Sequence, residues 1–169
     1  PRGSAARLRG RTTNVIGRGM RDPNMVVIIL KMADVDQARA VADSKDLKDR
    51  LKKGGVLGTP SFEYLDVVMN DNTPIGQTAR LMVTHKVKDG DAWKKSFDGH
   101  KQARMDAGLV DRGLGNRDGD NHMVSLVFAV NDKKKADDFV KSKDLKDKMA
   151  EAGVVGAPSF FYYNIVQKY

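Results

Sequence analysis

Cysteine is absent from the 169 residues, so neither a disulfide scaffold nor a zinc–thiolate site is possible and the redox compartment cannot be read. Long apolar runs are absent too. The strongest, MVVIIL from Met25 to Leu30, falls far short of the ~20 residues of a membrane-crossing helix and reads as a buried strand, so no membrane partner is expected. No glycine-rich phosphate loop, nucleophile elbow or paired-carboxylate motif occurs, and Gly17 and Gly19 stand on a strand with no helix behind them. No cofactor is expected on that ground. His85, His100 and His122 fall on a strand, a helix and a turn edge without ligand spacing, which argues against a metal site. The segments HMVSLVFAV (His122–Val130) and NMVVIILKM (Asn24–Met32) lack the basic-glycine-aromatic pattern that stacks bases, so nucleic acid is not an expected partner. No signal or transit peptide is recognisable; a soluble intracellular or organellar placement is expected, with the compartment open.

What is present is an ordinary globular composition, 40% hydrophobic and 31% charged, with a net charge of +8. Most lysines alternate with aspartates, as in Lys45, Asp46, Lys48 and Asp49, which reads as a solvated helix face rather than a basic binding stripe. The dominant signal is an internal repeat. SKDLKDRLKKGGVLGTPSF (Ser44–Phe62) returns as SKDLKDKMAEAGVVGAPSF (Ser142–Phe160), twelve of nineteen positions being identical at a constant offset of 98. Two similar lobes follow: a first repeat over 5–69, a linker over 70–80 and a second repeat over 81–169. The first four residues, PRGS, match the tail of an engineered protease site and are set aside from the fold.

The second repeat reads as a strand (Leu81–Val87), then a helix capped by Asp89 or Asp91 with Trp93, Phe97, His100 and Arg104 at i, i+4, i+7 and i+11. A strand (Leu109–Gly115), the polar turn RDGDN (Arg117–Asn121) and a strand (His122–Val130) come next. Asp118 and Asp120 belong to that turn and not to a calcium loop, since the distal glutamate is missing. A helix capped by Asn131 or Asp132, a further turn from Ser142 and an aromatic strand from Ser159 complete the order βαββαβ, the ferredoxin-like pattern. The first repeat predicts strands at Thr12–Arg18 and Met25–Met32, one helix at Val35–Lys53 and a strand at Ser61–Val68. It has no counterpart of Leu81–Phe97, so its first strand and most of its first helix are expected either to lie in a longer chain, the favoured reading, or to come from another molecule.

HKVKDGDAWKKSFDGHKQAR (His85–Arg104) with AGVVGAPSFF (Ala152–Phe161) resembles the dimeric α+β barrel proteins of the antibiotic-biosynthesis-monooxygenase-like superfamily. The resemblance implies an α+β fold in which two ferredoxin-like repeats pack sheet to sheet, here within one chain. In a cyclase of that fold the pocket lies between sheet and helix. Its catalytic strand histidine corresponds to Leu81 here, while the same strand face carries Val83 and His85, opposite Trp93 and Phe97.

His85 is the candidate general base, because a lone imidazole among Val83 and Val87 suits proton transfer near neutral pH; the alternative is a hydrogen-bonded core histidine. Val83, Trp93, Phe97, His100 and Tyr163 are the expected pocket walls. With no complete catalytic set, the first expectation is a non-catalytic, self-associating scaffold whose partner is itself. The alternative is a cofactor-independent cyclase, isomerase or monooxygenase-like enzyme for a hydrophobic aromatic or polyketide-like small molecule; a closed, side-chain-filled interior beside His85 supports the first, and an open cavity of a few hundred Å³ lined by Trp93 and Phe97 supports the second.

Overall fold

A computed structural model describes residues 11–168, the side chains from Val15 onward. Seven strands, β1 (Arg11–Gly19), β2 (Val26–Met32), β3 (Leu65–Asn70), β4 (Ala79–Val87), β5 (Leu109–Arg117), β6 (Asp120–Val130) and β7 (Val154–Lys168), form one curled antiparallel sheet in the order β2-β1-β7-β4-β6-β5-β3. Six helices among the described residues accompany it: α1 (Val35–Asp43), α2 (Lys45–Lys53), α3 (Gly90–Gly99), α4 (Lys101–Asp106), α5 (Lys133–Lys141) and α6 (Lys143–Glu151). The class is α+β, as expected, and none of the helices is long and apolar enough to cross a membrane.

Local chemistry places the helix starts. The carboxylates of Asp34, Asp89 and Asp132 accept from the first free N–H groups of α1, α3 and α5. Ser44 and Ser142 do the same for α2 and α6, and their extended backbone (φ −65 and −64) breaks what precedes them. The single helix expected over Val35–Lys53 is therefore two. Gly108, at φ +72, ends the α4 turn where its added Cβ would meet the backbone of Asp132.

Strand lengths depart from expectation where pairing decides them. β7 starts at Val154 rather than Ser159 because β4 pairs with it from Val87↔Val154 onward, and its far end pairs with β1. By contrast β3, which among the described residues pairs with β5 alone, begins at Leu65 instead of Ser61. The turn between β5 and β6 tightens to Asp118 and Gly119, the latter at φ +73.

The core lies in the second half. Leu81, Val83, Val87, Trp93, Leu109, Leu126 and Phe128 form one cluster between the sheet and its helices, α3 packing on β6 and α6 on β7. On the opposite face of β4, the Arg80 guanidinium is buried and donates to the carbonyls of Gln77 and Ala79 at 2.9 Å. Cross-strand from it, buried Tyr163 has its phenol pKa pushed up to about 12 by desolvation.

Candidate functional site

β4 alternates its side chains, so Leu81, Val83 and His85 point to the helix layer while Arg80, Met82 and Thr84 point away. Across from them α3 presents Trp93 and Phe97 one helical turn apart. The two faces enclose a cleft whose space for a water-sized sphere is about 70 Å³, with about 610 Å³ of free volume once the open mouth is included. Phe128 of β6, Phe139 and Val140 of α5, Leu145 and Met149 of α6 and Phe160 of β7 complete its walls.

His85 stands on the floor of this cleft, 4% exposed. Both ring nitrogens are buried and neither meets a hydrogen-bond partner among the described residues. The Trp93 ring meets the imidazole edge to face at a centroid separation of 5.3 Å, and Trp93 stacks on Phe97 at 5.2 Å. Desolvation lowers the imidazole pKa from 6.5 to about 4. At neutral pH the ring is therefore uncharged.

That shift has a stability consequence. Between pH 6.5 and about 4 the unfolded chain binds a proton that folded His85 refuses, so the folded state is stabilised as pH rises through this window. Its contribution is fully present above pH 6.5 and is lost on acidification, on the order of 2–3 kcal/mol by pH 4. Urea denaturation at pH 4.5 and pH 7 should show a smaller drop for His85→Phe than for the wild type. Equal drops would mean that His85 does not titrate as a buried group.

The remaining site residues divide. Val83, Trp93, Phe97 and His100 line the same cleft as His85. His100 Nε2 lies 3.4 Å from the Asp144 carboxylate, tying the α3–α4 junction to α6 at the mouth. Tyr163 does not belong to the cleft, and the expectation is corrected: it pairs with Arg80 across β4–β7, on the other face of the sheet, whereas its neighbour Tyr162 pairs with Leu81 and packs against the core. His122 stands apart, its Nδ1 3.2 Å from the Val87 carbonyl. No group of three or more His, Asp or Glu side chains converges among the described residues.

Arg104 is the residue that sequence reasoning left in the background. Its Nε and Nη2 donate to the two oxygens of Asp111 at 2.9 and 2.8 Å, and its Nη1 donates to the Phe97 carbonyl at 2.6 Å. The guanidinium carbon sits 3.6 Å from the Phe97 ring centroid, so this buried fork sets the plane of a cleft wall. Its helical phase with Trp93 and Phe97 was the available signal; its strand partner was not.

No family model matches the chain, and no curated protein matches it in sequence. Solved structures do match. An anthrone oxidase-like protein superposes with a TM-score of 0.64 at 16% identity, over 98% of this chain and 81% of that one. A protein provisionally named a monooxygenase from Fusobacterium nucleatum subsp. nucleatum gives 0.59 at 12% identity, over 94% and 77%. Another so named, from Lactobacillus acidophilus NCFM, gives 0.53 at 12%, over 92% and 77%. At such identities the likeness is one of fold. The expectation of a non-catalytic scaffold is nonetheless corrected, since these three structures carry monooxygenase or oxidase-like names; the space beside His85, about 70 Å³, is smaller than the few hundred Å³ expected of a substrate pocket.

Proposed function

We propose that the protein is an enzyme that removes a proton from a flat, hydrophobic aromatic or polyketide-like ketone held between β4 and α3. The observation that carries this reading is the orphaned, uncharged imidazole of His85 in an aromatic cleft. Its lone pair takes a proton from a C–H beside the ketone, and the electron pair of that bond moves onto the ketone oxygen as an enolate spread over the ring. Imidazolium and enolate form together as a neutral ion pair, which is how a low-dielectric site tolerates new charge. The enolate then closes on an internal carbonyl, regains a proton elsewhere, or reacts with dioxygen. In the last case a methylene becomes a carbonyl and one water leaves. The names of the structural neighbours favour this oxidative branch.

Trp93 is the single tryptophan of the chain, so its fluorescence reports the cleft alone. Anthrone should quench it saturably, and oxygen uptake in the presence of protein should exceed the spontaneous rate, with anthraquinone as product. No saturable quenching and no rate above background, with anthrone or with open-chain polyketide analogues, would sink the proposal.

The same reading takes the chain as two copies of one βαββαβ unit whose sheets share strands. In its support, β7-β4-β6-β5 is the ferredoxin-like strand order, and the element order β1-β2-α1-α2-β3 parallels β5-β6-α5-α6-β7 at the 98-residue offset. Each half lends its last strand to the other, β3 to β5 and β7 to β1.

A further inference from the structure

Among the described residues β2 and β3 are the two ends of the sheet, each paired along one edge only. At the offset of 98 residues they correspond to β6 and β7, and those two strands flank β4, which is antiparallel to both. What β4 and α3 do for the second half is visible in exposure. Val124, Leu126 and Phe128 of β6 are 0%, 4% and 4% exposed, whereas their counterparts Val26, Ile28 and Leu30 are 51%, 53% and 40% exposed. The described residues thus carry both an open apolar edge and the unit that covers the equivalent edge.

We propose that the β2 and β3 edges dock a strand–helix polypeptide with the chemistry of Ala79–Ala107, supplied from outside the described residues. This rests on the two-copy reading. The strand of the occupant runs antiparallel to both edges, as β4 does to β6 and β7. Its residues at the positions of Leu81, Val83 and His85 lie beside Leu30, Ile28 and Val26, the register that β4 keeps with Phe128, Leu126 and Val124. A helix begun by an Asp-Gly cap then lays aromatic residues four apart over those side chains, as Trp93 and Phe97 lie over the second half. Strand pairing satisfies the free backbone groups of both edges, and the helix removes the apolar face from water.

The probe is a synthetic peptide of residues 79–107 added to the full chain. Amide exchange across Val26–Met32 and Leu65–Asn70 should slow at least ~10-fold at saturation, reporting edges that no longer open freely. A peptide bearing Thr84→Pro should fail, since proline removes a ladder donor and does not fit a doubly paired strand. Ile28→Asp in the protein, at a position now exposed, should abolish binding without unfolding it. Register is read by disulfide trapping: a Val83→Cys peptide should couple to Ile28→Cys and not to Ile29→Cys. Absence of protection at both edges would overturn the docking while leaving the two-copy reading intact. Protection with trapping at Ile29→Cys would overturn the register and, with it, the copy correspondence. Concentration-dependent protection of the same edges without peptide would replace this occupant by a second copy of the chain.

Discussion

His85→Phe should lower kcat toward an anthrone-type substrate about 10²–10⁴-fold, the usual worth of a positioned general base, and leave the protein at least as stable as before. The two halves of that expectation come from one fact. The imidazole nitrogens are buried without partners among the described residues, so they cost desolvation and give back no hydrogen bond; a phenyl ring of similar shape removes the polar atoms and keeps the contact with Trp93. A core histidine kept for structure would behave in the opposite way, losing stability before activity. The pH profile separates the roles further. With a pKa near 4 the base is free above about pH 5, so kcat/KM should rise through pH 4 and stay flat across neutrality. An inflection near pH 6.5 in the wild type, or a His85→Phe variant with full turnover, would remove His85 from the chemistry.

The second large effect belongs to Arg104. Arg104→Met should destabilise the fold by about 3–5 kcal/mol, the cost of leaving one partner of a buried ion pair uncompensated. Asp111 would keep a carboxylate that is 13% exposed with no cation against it, and the Phe97 carbonyl would lose a short donor. For a chain of this size the thermal midpoint should fall on the order of 10 °C. Arg104→Met combined with Asp111→Leu should recover most of the loss, because two apolar groups leave nothing unpaired. Arg104→Lys should recover only part, since an ammonium cannot make the planar fork or lie flat on the Phe97 ring. A loss under about 1 kcal/mol in the single variant would place this pair among weak surface bridges despite its burial. Because the guanidinium holds a cleft wall, the double variant should also bind aromatic ligands less tightly, with kcat less affected than KM.

Much of this protein was legible before any coordinates. Hydrophobic period, aspartate and serine caps and left-handed glycines are local signals, and they placed the starts of α1, α3, α5 and α6, while the resemblance to α+β barrel proteins is what set Val83 and His85 opposite Trp93 and Phe97. Strand alternation alone says that Tyr162 and Tyr163 face opposite ways. It cannot say which way faces the helices, because that depends on register with β4, a partner some eighty residues distant in the chain. Three other features are equally non-local. β7 is long because two different strands pair with it; Arg104 is a wall-setting residue because β5 brings Asp111 to it; and the His85 imidazole is neutral because the folded chain removes it from water. Composition and spacing decide which pieces form, since each piece answers to its neighbours in sequence. Pairing register and desolvation decide what those pieces do, since both are sums over residues that only the folded chain brings together.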